Sequence, residues 1–89
     1  MKTASFMAFN VDSYCGRFTA IVKMEDGMSE KDARRDAWSL ASAGFGPSFG
    51  RTSAGRLLPD AHPLTEIPEG AWEVKKCEGW GWMMRGYLP

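Results

Sequence analysis

A small α+β domain, built as an antiparallel sheet of two hairpins with one helix packed on it, is the fold class this 89-residue chain predicts. Three observations carry that reading: apolar and polar residues alternate near the N-terminus, an apolar stripe of helical period follows, and a second alternating stretch rich in tryptophan closes the chain. The order is β-β-α-loop-β-β in a single domain over residues 1–89, with a long Gly/Pro-rich connection at 44–70.

The first hairpin comes from ASFMAFNV at 4–11 and RFTAIVKM at 17–24, separated by the turn residues DSYCG. In the second of these strands Phe18, Ala20, Val22 and Met24 share one face while Arg17, Thr19, Ile21 and Lys23 share the other, which suits a sheet covered mainly on one side. The first strand offers either Met7, Phe9 and Val11 or the opposite set Phe6 and Ala8, and the residues alone leave that choice open.

EDGM breaks the alternation, and SEKD opens the helix: Ser29 is placed to cap the free amides, with Asp32 as the acidic partner of a capping box. Glu30 and Asp32 also complement the positive end of the helix dipole. Ala33, Ala37, Leu40 and Ala41 recur at i, i+4, i+7 and i+8, a narrow stripe of mostly small residues that lets a helix approach a sheet closely. Gly44 reads as the C-terminal cap and Gly46-Pro47 as the stop. Trp38 falls on the flank of the stripe beside Lys31 and Arg34, where partial exposure is expected.

Residues 44–70 exceed the usual loop length and contain prolines at 47, 59, 63 and 68. They read as ordered coil or a lid, with one short helical turn in SAGRLL anchored to the core by Leu57 and Leu58. The closing hairpin pairs AWEVKKC with GWGWMMRGYL through Glu78-Gly79. Trp72 and Val74 alternate with Glu73 and Lys75, while Trp80, Trp82 and Met84 alternate with Gly81, Met83 and Arg85. Tryptophans fill the core of a small domain efficiently, so at least two of Trp72, Trp80 and Trp82 are expected inside.

Composition limits the function classes. Hydrophobic residues at 44% and charged residues at 25% are ordinary globular values. Eleven Lys plus Arg balance eleven Asp plus Glu, against general nucleic-acid binding through many phosphates. Arg51 and Arg56 are the sole charges between Trp38 and Pro59 and give the chain its one basic stretch. No run approaches the roughly 18 apolar residues of a membrane-spanning helix. With two cysteines and no convincing secretory signal, the thiols read as reduced and the protein as cytoplasmic.

Catalytic and metal motifs are weak. GPSFGRT resembles a phosphate loop in its glycines, but Phe45 and Arg51 stand where a Walker loop requires glycine and lysine. Cys15, Asp60, His62 and Cys77 have no metal-ligand spacing, and His62 in DAHP reads as a solvent-facing histidine rather than the partner of a nucleophilic thiol. Glu66, Glu69 and Glu73 form no distinctive acid/base pair. The chain therefore reads as a non-enzymatic protein without cofactor or metal, a monomer or homodimer.

Its remaining signal is aromatic and basic. Trp, Tyr, Arg and Met are enriched where proteins meet proteins. Arg34 and Trp38 on the helix flank are one candidate contact; Met83, Arg85 and Tyr87 on the second hairpin are another. Within the loop, Phe45 and Phe49 would anchor a contact arm whose Arg51 and Arg56 reach acidic or phosphate groups, or the loop has a purely structural role. The expected function is a protein-interaction module or steric inhibitor of a larger complex, an economy common among small proteins of phages and mobile elements, including anti-CRISPR inhibitors. The alternative is single-stranded nucleic-acid binding, with Trp80, Trp82 and Tyr87 stacking on bases and Lys75, Lys76 and Arg85 meeting phosphates.

Overall fold

The computed structural model describes residues 5–13, 16–44, 56–76 and 79–89. It contains β1 (Phe6–Ser13), β2 (Gly16–Lys23), α1 (Glu30–Gly44), β3 (Arg56–Leu64), β4 (Trp72–Lys76) and β5 (Gly79–Arg85). The strands form one antiparallel sheet of order β3-β1-β2-β5-β4, with the helix resting on one face, chiefly over β5 and β2. The α+β class and both hairpins are as the sequence predicts.

The strand β3 is a correction. Residues 56–58 read as the end of a helical turn and 59–64 as coil, yet RLLPDAHPL pairs with β1 from Leu64 opposite Phe6 to Arg56 opposite Asp12. Its prolines hid it, and they are tolerated because β3 is an edge strand. The register shifts between Phe9 and Val11, so that Leu58, Pro59 and Asp60 bulge opposite Asn10.

Register settles the face of β1. Phe9 opposite Ala20 and Val11 opposite Phe18 point to the helix, and with Val22, Ala33, Ala37, Leu40, Ala41, Val74 and Met83 they form the buried core. Fully burying a side chain such as Phe9 contributes roughly 1.5–3 kcal/mol. The alanine stripe packs as expected. On β5 the helix lies so close that a Cβ on Gly81 would press on the Ile21 carbonyl oxygen and sit 2.8 Å from Leu40 Cδ2.

That close approach excludes indoles from the core, which corrects a second expectation. Trp72 is 37% and Trp80 43% exposed, and Trp82 is half-buried. Trp80 and Trp82 lie on the helix-free face, with ring centroids 5.0 Å apart, and Phe6 meets Trp82 edge-on at 5.4 Å.

The helix-free face is nevertheless partly sealed, since Ala8, Thr19 and Ile21 are fully buried there. Gly86, at φ 85°, turns the chain out of β5 so that its N–H donates to the Arg17 carbonyl at 2.7 Å. The following tail crosses β1, where the Leu88 N–H donates to Asn10 Oδ1 at 3.0 Å and Asn10 Nδ2 donates to the Leu88 carbonyl at 3.3 Å. The Thr19 hydroxyl lies 2.7 Å from both Asn10 Oδ1 and the Gly86 carbonyl, so its one proton is shared between two acceptors.

Candidate functional site

The helix begins as its capping box dictates. Ser29 Oγ accepts from the Asp32 N–H at 3.2 Å, and Asp32 Oδ2 accepts from the Ser29 N–H at 3.4 Å. This phase puts Ala33, Ala37 and Leu40 against the sheet and leaves Lys31, Arg34, Arg35 and Trp38 along the flank facing β3. Between that flank and the start of β3 lies an open groove of about 690 Å³, lined by Lys31, Arg34, Arg35, Trp38, Ser39, Arg56 and Leu57. Among the described residues, four cations and no carboxylate line it.

The cations differ in their freedom to meet a ligand. Arg34 donates to the carbonyls of Leu58 at 2.9 Å and Pro59 at 2.7 Å, satisfying the backbone of the β3 bulge. Its guanidinium also covers the Phe9 ring at 4.8 Å and approaches Glu30 at 3.6 Å. Arg34, expected as a contact residue, is thus a clasp between helix and edge strand. Arg35 donates to Asp32 at 3.0 Å on the surface, a pair that water weakens to at most about 1 kcal/mol. Lys31 and Arg56 are exposed, and Trp38 stands at the groove 49% exposed.

Of the candidates read from the sequence, the groove brings together Arg34, Trp38 and Arg56. Met83 is a correction: it is fully buried under the helix, opposite Ala20, because the hairpin presents the face opposite to the one expected. Arg85 is exposed at the end of β5, opposite Phe18. Tyr87 lies in the C-terminal tail with the Arg17 guanidinium 5.2 Å over its ring. Burial and the charge of the neighbouring Asp12 carboxylate push the Tyr87 phenol above its ordinary pKa. Phe45, Phe49 and Arg51 lie outside the described residues, as do both cysteines.

Lys31 and Arg35 join the contact residues read from the sequence, their i, i+4 and i+7 spacing with Trp38 marking one helix flank. His62 is also displaced from its expected setting. It is a half-buried residue of β3 whose Nε2 lies 3.4 Å from Asn10 Nδ2, rather than a solvent-facing loop histidine. No helix among the described residues is long and apolar enough to cross a membrane. No protein-family model, curated protein or solved structure matches the chain.

Proposed function

We propose that this protein is a non-enzymatic binding module that occupies an acidic surface of a larger protein and acts by steric obstruction. The observation that carries this reading is Trp38, 49% exposed at a groove whose charged lining, among the described residues, is basic. Tryptophan and arginine dominate interface hot spots, because a large planar side chain and a multidentate cation release much hydration when covered. Lys31 and Arg56, exposed at the groove, select an acidic counter-surface and steer its approach. Blocking a site requires only about 800 Å² per partner, which a domain of this size can present. Small inhibitors of phages and mobile elements, the anti-CRISPR type among them, work this way, and the size of this chain is in keeping with that type.

The test is capture of partners from host lysate on the tagged protein, with nuclease and salt arms, repeated with Trp38→Ala and Arg56→Ala. A stoichiometric protein retained after nuclease, and lost with either variant while the melting temperature holds within about 2 °C, is the expected result. Both side chains are exposed, so neither truncation opens the core.

A second reading has its own observation. Trp80, 43% exposed and tilted against Trp82, offers a stacking platform beside Lys75 for single-stranded nucleic acid. Glu73, opposite Trp82, would repel a phosphate backbone there, which ranks this reading second. Recovery of nucleic acid that nuclease or modest salt removes would put it first.

A further inference from the structure

The two edges of the sheet are not alike. At one edge β3 carries Pro59, Pro63 and a bulge, features that blunt an edge against further strand pairing. At the other edge β4 has the sequence WEVKK, without proline, and its pairing with β5 runs in unbroken register from Trp72 opposite Met83 to Lys76 opposite Gly79. Among the described residues, no strand pairs with its outer side.

We propose that β4 pairs with β4 of a second copy of this chain, joining two five-stranded sheets into one of ten strands. The order of charges in β4 selects the register. A twofold axis through an antiparallel strand pair, perpendicular to the sheet, requires directly opposed residues to share a face. When the axis passes through Val74, all five residues of β4 pair and Glu73 faces Lys75 of the second copy, twice by symmetry. Moving the axis by one residue sets Glu73 against Glu73 or Lys75 against Lys75. Opposite charges across a strand pair are favourable, and like charges directly opposed are unfavourable. The centred register is therefore the one the strand's own charges permit.

The surroundings of β4 fit the same occupant. Glu73 and Lys75 are both exposed, and Trp82 and Trp80 stand opposite them on β5. Across the seam the order on the helix-free face becomes Trp80, Lys75, then Glu73 and Trp82 of the second copy. The two charge pairs would lie between indoles, one of them 43% exposed in the single chain. Trp72, 37% exposed, begins the strand on the helix side and gains cover at the same seam. Because the basic groove lies at the β3 edge, such a dimer leaves both grooves open and displays two of them at the far ends of one sheet. A partner with two acidic sites would then be held with avidity.

The test is sedimentation equilibrium of the full chain over a concentration series, for the unaltered protein and for Glu73→Lys, Lys75→Glu and the double exchange. Expected are a reversible dimer, roughly tenfold weaker self-association for each single reversal, and restoration by the double exchange. An equimolar mixture of the two single variants should form a dimer containing one of each, because every pair across that seam again joins opposite charges. This positive result also shows that both variants are folded. A wild-type chain that stays monomeric throughout, single reversals that dimerise as well as wild type, or single variants that fail to associate when mixed would each overturn the proposal.

Discussion

Arg34 joins three elements through one guanidinium, holding two carbonyls of the β3 bulge while lying over Phe9 of β1. Hydrogen bonds from a charged donor contribute about 1.5–3 kcal/mol, and removal of the guanidinium leaves the part-buried Leu58 carbonyl without its partner, while the exposed Pro59 carbonyl turns to water. Arg34→Ala should accordingly lower unfolding stability by about 1.5–3 kcal/mol in urea titration, whereas Arg35→Ala, whose Asp32 pair is exposed, should stay within about 0.5 kcal/mol. Tyr87 provides a pH-dependent counterpart. Its folded pKa is raised above the ordinary 10.0, so the fold favours the neutral phenol. That contribution is complete below the unfolded pKa and is lost as pH rises through the raised folded value. Ultraviolet titration in a Tyr14→Phe background should place the phenol midpoint above 10.0, and Asp12→Asn should bring it down. A midpoint unmoved by Asp12→Asn would remove the carboxylate from the account.

The helix was the most legible element because each of its signals is local. Ser29 and Asp32 close the capping box, and the alanine stripe from Ala33 to Ala41 lies where a 3.6-residue period puts it. Ser29→Ala should cost about 1 kcal/mol, read as a lower urea midpoint with unchanged slope. The edge strand β3 was not legible for the opposite reason: nothing in RLLPDAHPL alternates cleanly, and its pairing is specified by β1, more than 40 residues upstream. Tertiary hydrogen bonding overrode a local pattern that reads as coil. The face of the second hairpin is not legible in the sequence because GWGWMMR carries apolar residues on both faces. Gly81 decides the matter, since the helix needs its missing Cβ to approach β5, and that places Met83 inside with Trp80 and Trp82 on the other side. Of the contact set, Trp38 is legible from helix phase alone, while the pairing of that flank with Arg56 depends on β3, a strand that its local sequence conceals.

At the scale of the whole molecule, the topology interleaves the ends of the chain. The first hairpin forms the middle of the sheet, β5 adds to β2, β3 adds to β1, and the tail after β5 closes back over Asn10 and Thr19. No element has a core of its own, so equilibrium unfolding should be a single cooperative transition. Tryptophan fluorescence, which reports Trp38, Trp72, Trp80 and Trp82, should coincide in urea with far-ultraviolet circular dichroism. Separated midpoints would mean that the second hairpin detaches before the first.

The sequence by itself determined the α+β class, two hairpins, the capped helix with its buried stripe, and the exposed Trp38, because capping, period and turn chemistry act between residues a few positions apart. Only the tertiary structure decided that Met83 rather than the tryptophans enters the core, that Arg34 clasps a bulge, that β3 is a strand, and that Arg56 meets Trp38 at one groove. Those outcomes depend on register and close approach between distant segments, where a single glycine or a shifted strand changes which side chains share a face.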